Sequence, residues 1–224
     1  MKRKIITTAD GSKTIQIEEW NEQYHSIHGA IQEARHVFIK HGLLFYSENR
    51  QHIDHIGILE MGFGTGLNAF LTYVEAEALS VKINYTGVEA YPVEADEILQ
   101  LNYPQLISSA HKNVFDQMHQ ATWEHPVVLN DHFTLQKQQQ FFDTIDDQNA
   151  FDIIYFDAFG ARVQPELWTE DIFFRMFSAL RPGGVLVTYS AKGSVRRAME
   201  AVGFTVERLP GPPGKREMLR AVKA

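Results

Sequence analysis

Three glycines on alternate positions, Gly62, Gly64 and Gly66, stand between an apolar run at 56–61 and a helical pattern at 67–79. A strand that ends in such a turn and feeds directly into a helix is the opening unit of a doubly wound sheet. Folds of that kind bind ligands at the carboxyl ends of their strands. Glycine permits the tight turn and lets the backbone approach a ligand with no side chain between. The alternation then continues: a strand at 83–88, a helix at 93–101, and a strongly apolar strand at 151–156, Phe-Asp-Ile-Ile-Tyr-Phe. A helix at 171–180 is ended by Pro182-Gly183-Gly184, and a strand at 185–189 and a helix at 195–202 follow, the latter stopped by Gly203. Strands at 204–209 and 218–222 close the chain, and Pro210-Gly211-Pro212-Pro213-Gly214 between them must be a rigid loop. Nearly continuous apolar strands separated by helices predict an α/β fold, a mostly parallel sheet covered on both faces with an antiparallel strand at its C-terminal end.

Ahead of this core, two β-branched runs at 5–8 and 14–17 flank Asp10-Gly11, the signature of a small hairpin. Ala30, Ile31, Ala34, Val37 and Phe38 recur at helical spacing, which reads as a helix over 24–40 with Gly42 as its stop. Residues 1–50 are therefore expected to be an extension of hairpin and helix packed on a domain at 51–224. Between 102 and 150 the pattern is irregular, and Gln136–Gln140 reads only as a short low-complexity stretch.

Composition narrows the chemistry. A chain of 224 residues with 44% hydrophobic residues supports one substantial domain. Cysteine is absent, which excludes disulfides, thiolate metal sites and cysteine nucleophiles. The pairs His25/His28 and His36/His41 lack a ligand spacing and an acidic partner, so no metal is expected. No targeting segment is visible and no run approaches the roughly 18 apolar residues of a membrane helix, so a cytoplasmic protein with no membrane partner is expected. The formal charge of −7 argues against a surface that grips nucleic acid everywhere. That charge is unevenly placed. Residues 192–224 hold eight Lys/Arg against three Glu, a segment of +5 behind a body of −12.

The spacing at the turn is acid-x-Gly-x-Gly-x-Gly, from Glu60 to Gly66, and Leu67 stands where the dinucleotide fingerprint has its third glycine. It resembles the first motif of class I S-adenosylmethionine methyltransferases, whose cofactor has no pyrophosphate to neutralise. Glu60 can serve the charged amino-acid end of that cofactor. Glu89, 23 residues after Gly66, closes the next strand where a carboxylate can accept from both ribose hydroxyls. The competing readings are a glycine turn without a ligand and an NAD site, and Leu67 counts against the second. A further constellation, Asp157-Ala158-Phe159, follows the strand at 151–156. An acid there can hold an amine or hydroxyl nucleophile and Phe159 can shape the pocket, since methyl transfer is an in-line displacement governed by positioning. The plainer reading of Asp157 is a cap on the following segment.

Several segments together resemble one family, the methyltransferase domain of MnmC-type enzymes. They are Tyr24-His25-Ser26 with Gly29-Ala30 and Glu33, then Gly62 to Asn68, then Tyr155 to Phe159 with Gln164-Pro165-Glu166-Leu167-Trp168. Ser190 to Gly193, Arg196-Arg197 and Gly214-Lys215-Arg216-Glu217-Met218-Leu219 complete the set. The resemblance runs from about Tyr24 to Ala221 and implies a Rossmann-like class I fold with S-adenosyl-L-methionine as cofactor. It implies methylation of the exocyclic amine of 5-aminomethyl-2-thiouridine at the tRNA wobble position, giving 5-methylaminomethyl-2-thiouridine. Its cofactor residues would be Glu60, Gly62, Phe63, Gly64, Thr65, Gly66, Asn68, Glu89, Ala90 and Asp157, with Asp157 and Phe159 at the reacting centre. Tyr24 and Glu33 match the N-terminal motif and would line the pocket.

Two departures stand out. Bifunctional members carry a flavin-dependent oxidoreductase domain after the methyltransferase, and this chain ends at Ala224, which implies a stand-alone enzyme whose aminomethyl substrate is made elsewhere. Members also carry an aspartate after the strand that precedes Asp157, where this chain reads Gln139-Gln140-Phe141-Phe142-Asp143. The basic tail fits an RNA substrate: Lys192, Arg196, Arg197, Lys215 and Arg216 would contact phosphates around the anticodon loop, while a splayed base enters the pocket. The alternatives are a methyltransferase of another amine, in ribosomal RNA, protein or a small molecule, and a non-catalytic RNA-binding adapter. A nicotinamide oxidoreductase is a third.

Overall fold

The computed structural model describes residues 2–50 and 53–224, so residue 51, the first of the expected core domain, lies outside the described residues. The chain opens with an antiparallel sheet of three strands, β1 (Arg3–Thr7), β2 (Lys13–Ile17) and the short β3 (Glu22–Gln23). The β1–β2 hairpin is the one expected around Asp10-Gly11, and Gly11 takes a positive φ of 82° at its tip.

The helix after it differs from expectation at both ends. It begins at Ala30 as α1 (Ala30–Ala34), widens to π-helical pairing over Arg35–Leu44, and finishes as α2 (Phe45–Glu48). Residues 24–29 stay out of it because Gly29, at φ 135°, turns the chain in from the hairpin. Gly42 does not stop it. A Cβ there would lie 3.0 Å from Tyr155 Cε1 and 3.1 Å from Val187 Cγ2, so the glycine lets the helix press directly onto the sheet. Buried Ala34, Phe38, Ile39 and Leu43 recur every four to five residues, the stripe a widened helix turns inward.

The core sheet has eight strands in the order β10-β11-β9-β8-β4-β5-β7-β6. Its parallel centre comprises β4 (His55–Met61), β5 (Lys82–Val88), β7 (Phe133–Gln138), β8 (Phe151–Phe156) and β9 (Leu180–Thr188). Antiparallel strands border both sides, β6 (Pro126–Asn130) on one and β10 (Thr205–Pro210) with β11 (Glu217–Val222) on the other. The α/β class and the closing antiparallel strands are as the sequence implies. The β6–β7 pair is not, because the polar run at 136–140 hides β7. Its inward positions are Phe133, Leu135 and Lys137, so the period-two pattern carries a lysine where an apolar residue is expected. The expected helix at 93–101 is reduced to α4 (Ala95–Ile98), opened by a capping box between Glu94 and Glu97.

Helices cover both faces. α3 (Leu67–Leu79), the long helix at 30–48, α5 (Tyr103–Ile107) and α6 (Lys112–Gln120) pack on one side; α7 (Glu170–Ala179) and α8 (Gly193–Ala201) on the other. β8 divides its side chains accordingly: Ile153 and Tyr155 join the first core, Ile154 and Phe156 the second. That is why its sequence is a continuous apolar run rather than an alternating one.

Candidate active site

The carboxyl ends of β4, β5 and β8 converge on a cleft of about 280 Å³. Its floor is bare backbone at Gly62 and Gly64, held open by positive φ angles of 92° and 46°. The turn is fixed from below, since the N–H groups of Gly62 and Phe63 both donate to Val88 O at 3.0 Å. A Cβ on Gly62 would stand 3.0 Å from Asp157 O, and one on Gly64 would stand 3.1 Å from Tyr24 Cδ1. Glycine is thus required at these two positions by conformation and by space together.

Glu89 borders the cleft one residue beyond β5. Its Oε2 accepts from Gly64 N–H at 3.1 Å and its Oε1 from Tyr91 N–H at 3.0 Å. Burial pushes its carboxyl up, against the pull of those backbone hydrogen bonds. Asp157 enters from the end of β8. Its Oδ2 accepts from Asn68 Nδ2 at 2.8 Å, and the other hydrogen of that amide reaches Glu60 Oε1, also at 2.8 Å. Burial, and then the Glu33 carboxylate, push Asp157 up to about 7, while Asn68 and Lys215 oppose them.

The far wall is aromatic. The Phe159 ring meets Trp20 edge to face at 5.6 Å and Tyr24 at 4.9 Å. Its carbonyl accepts from Trp168 Nε1 at 2.8 Å, and the neighbouring Ala158 carbonyl accepts from Tyr189 OH at 2.8 Å. Arg162 ties this loop to the N-terminal sheet, donating to Trp20 O at 2.9 Å and pairing with Glu22 at 2.7 Å. Tyr91 and Phe141, both more than half exposed, meet edge to face at 5.9 Å at the mouth.

Of the residues singled out in the sequence, Gly62, Gly64, Glu89, Ala90, Asp157, Phe159 and Tyr24 border the cleft. Glu60, Phe63, Thr65, Gly66 and Asn68 do not border it. Glu60 is 1% exposed beneath the turn, where burial holds its carboxyl well above the usual range, and it touches the site only through Asn68. Thr65 is buried with its hydroxyl 2.7 Å from His25 Nε2, and Phe63 turns to the other side of Glu89. Gly66 faces the His119 ring. Glu33 and Lys215 meet each other at 2.5 Å beside Asp157, and the Lys215 ammonium lies 3.7 Å from the centre of the Tyr189 ring.

The basic tail is less free than its charge implies. Arg196 pairs with Glu200, Arg220 with Glu207 and Arg208 with Glu217, and Lys223 donates to the carbonyls of Phe177 and Leu180 at the end of α7. Lys192, Arg197 and Arg216 are exposed and form no ion pair among the described residues. None of the five expected phosphate contacts borders the cleft itself.

Sequence reasoning did not assign Arg3, Trp20, Tyr91, Phe141, Asp143, Gln164 or Glu166, all of which line it. His25, set aside there as an unremarkable histidine, also lines it; burial and then Lys215 lower it to about 4, so it is neutral. Asp143 sits in the turn Phe142–Thr144 on the wall next to Tyr91, the neighbourhood where the sequence left the expected acid unassigned. For Trp20 and Arg3 no local signal exists, because the hairpin reaches the cleft only through tertiary packing.

The residues present fit S-adenosylmethionine. Acidic groups dominate, with Glu89 and Asp157 on the wall and Glu33 and Glu60 behind it, and the raised proton affinities of Glu60, Glu89 and Asp157 mark a site in want of positive charge. A sulfonium with an ammonium supplies that, and the side-chain-free turn admits it. Asn68 Oδ1 and Glu60 Oε2 are moreover buried without a hydrogen-bond partner.

Comparison with known proteins agrees. A model of the family described as S-adenosyl-L-methionine-dependent methyltransferase matches residues 94–224, more than half the chain. The chain is 26% identical, over 90% of its length, to the tRNA 5-methylaminomethyl-2-thiouridine biosynthesis bifunctional protein MnmC of Actinobacillus pleuropneumoniae. It is 29% identical, over 91% of its length, to the protein of the same name from Pseudomonas entomophila. It spans about a third of the length of these curated relatives, 32% and 33% respectively. Its fold matches the crystal structure of MnmC2 from Aquifex aeolicus with a TM-score of 0.79 at 24% identity, covering 98% of this chain and 70% of that one. Spermidine synthase from Thermotoga maritima shares the fold more loosely, with a TM-score of 0.58 at 12% identity, over 99% of this chain and 68% of that one. The chain belongs to the S-adenosyl-L-methionine-dependent methyltransferase family, with the methyltransferase part of MnmC-type proteins among its relatives and S-adenosylmethionine as its cofactor.

Proposed function

We propose that this chain methylates the exocyclic amine of 5-aminomethyl-2-thiouridine at the tRNA wobble position, giving 5-methylaminomethyl-2-thiouridine. The observation that carries the reading is the junction of three features in one cleft: the bare glycine turn, Asp157 with its raised proton affinity, and the aromatic wall of Trp20, Tyr24 and Phe159. The names borne by its relatives supply the substrate.

Gly62, Gly64, Glu89, Ala90 and Asp143 would hold the cofactor, which brings an electrophilic methyl group bound to a sulfonium. Trp20, Tyr24 and Phe159 take the flat face of the extruded base and keep water out. Asp157 positions the amine. Bound there, the cofactor would supply the methyl group to the amine nitrogen and keep the C–S electron pair on its sulfur, and the Asp157 carboxylate would take the proton that the amine gives up. A carboxyl with a proton affinity near 7 suits that transfer at neutral pH. Asn68 fixes the orientation of Asp157 by its bond to Oδ2, and Glu60 fixes Asn68. Lys192, Arg197 and Arg216 provide exposed charge for phosphates, and a tRNA substrate places the protein in the cytoplasm.

The test is incubation of the purified chain and labelled S-adenosylmethionine with tRNA carrying 5-aminomethyl-2-thiouridine, with ribosomes and peptides in parallel. Nucleoside mass spectrometry should show conversion to the methylaminomethyl form. Label in ribosomal RNA or peptide with none in tRNA would transfer the reading to another amine. Tight tRNA binding with no cofactor binding would make the chain an RNA-binding adapter.

A further inference from the structure

On the other side of Glu89 and Gly64 from the cofactor cleft lies a second cavity, of about 430 Å³, a volume typical of small-molecule sites. Phe63 and Trp123 wall it, Ile98 and Leu99 form its rim, and Lys137 of β7 closes its floor. Lys137 is 2% exposed, and none of its ion-pairing distances to a carboxylate falls within 4 Å among the described residues. Its ammonium donates to His119 O at 2.8 Å, at the end of α6, and lies 4.7 Å from the Trp123 ring centre and 5.8 Å from that of Phe63. One carbonyl and two ring faces leave hydrogens of this ammonium without acceptors.

The site is built around that charge. Gly87, paired with Lys137 in the β5–β7 register, lacks a side chain where the Phe63 ring packs against it, so the ring is laid beside the lysine. The Trp123↔Lys137 bridge brings the indole beside the lysine as well, in edge-to-face contact with Phe63 at 6.4 Å between ring centres. Burial lowers Lys137 to about 8, which still leaves it protonated at neutral pH. A buried charge without a counter-ion is costly, and folded proteins normally pair it. Leu99, 83% exposed at the rim, is an apolar surface with nothing over it.

We propose that this cavity is a binding site for a small organic anion, whose carboxylate or phosphate pairs with Lys137 while its aromatic body packs against the Phe63–Trp123 pair and Leu99. The site lies across the Gly64–Glu89 wall from the methyl-transfer cleft and does not depend on tRNA being the substrate.

The experiment is ligand-observed NMR titration with benzoate, phenyl phosphate and the neutral benzyl alcohol, with S-adenosylhomocysteine saturating the cofactor cleft. Saturable binding of at least one anion is expected, with benzyl alcohol about tenfold weaker or worse. Benzoate against phenyl phosphate decides which head group the site prefers. K137M should weaken the anion by a similar factor, and L99W, which leaves the charge in place, should block entry at the rim. Should K137M fail to fold, L99W and the neutral probe carry the test. No saturable binding of either anion, equal affinity for benzyl alcohol, or unchanged binding in L99W would overturn the proposal.

Discussion

The Lys215 ammonium stands 2.5 Å from Glu33 Oε2 across 182 residues of sequence, joining the loop after the proline segment to the first turn of the long helix. This pair is itself part of the environment of Asp157, because Glu33 raises the proton affinity of that carboxyl and Lys215 lowers it. On the proposed mechanism the two partners therefore act on the reaction in opposite directions. E33Q should move the acid limb of the pH–rate profile down and K215M should move it up, each by roughly one pH unit. Profiles that stay in place in both variants would show that the pair only ties the two segments together.

On the proposed mechanism, Asp157 couples catalysis to stability. Its proton affinity rises on folding from an ordinary 3.8 to about 7, so its contribution to stability is fully present below about pH 3.8 and is lost as the pH rises through 7. At pH 8 the folded protein holds an ionised, largely buried carboxylate. D157N removes that cost, so its stability relative to wild type should be greater at pH 8 than at pH 5 by roughly 2–3 kcal/mol. The same variant should lose about a hundredfold or more in kcat. Urea unfolding at the two pH values, beside single-turnover assays, checks both halves.

Glu60 is predicted to matter as a shape rather than as a charge. Burial raises its proton affinity well above the ordinary carboxylate range, which favours the neutral form, and its one hydrogen-bonded contact of normal geometry is Asn68. E60Q preserves the acceptor and should change stability by less than about 1 kcal/mol. E60A leaves an amide hydrogen unpaired beside a cavity and should cost about 2–4 kcal/mol. Denaturant midpoints compared at constant slope would decide; a loss in E60Q as large as in E60A would mean that the ionised form is required.

Gly42 sits where a helix stop was expected and a close approach was found. Alanine gains helix propensity of about 1 kcal/mol but must displace Tyr155 and Val187, both fully buried. G42A should therefore be destabilised by roughly 1–3 kcal/mol and G42V by more. A thermal midpoint for G42A at or above wild type would show that the helix can lift off the sheet.

The exposed cations make a prediction that rests on the tRNA reading. Alanine at Lys192, Arg197 and Arg216 should weaken tRNA binding and flatten its dependence on log salt by roughly two, while R196A, already paired with Glu200, should do little. Filter binding across a salt series separates them, and equal effects of all four would return the tail to a uniform basic patch.

Several elements were legible from local pattern because they depend on neighbours in the chain. The turn at 62–66 and the helix over 67–79 follow from glycine spacing, and β8 follows from five apolar or aromatic positions in six, broken only by Asp152. β7 was missed because Lys137, an inward position, reads as polar until Trp123 and Phe63 are seen around it. The helix at 30–48 was shortened because glycine usually marks an end, and the reason it does not here lies on β8 and β9.

The strand–helix alternation, the glycine turn and the acids after the strands are properties of the chain, and with the motif resemblance they implied the fold and the cofactor. Tertiary structure decided which of those groups face the cleft. It drew Glu60 beneath the turn, turned Lys215 inward to Glu33, and carried Trp20 and Arg3 from the N-terminal hairpin to the cleft wall. Periodicity and turn chemistry act over a few residues, whereas burial, ion pairing and proton affinity depend on what other segments bring within about 4–6 Å.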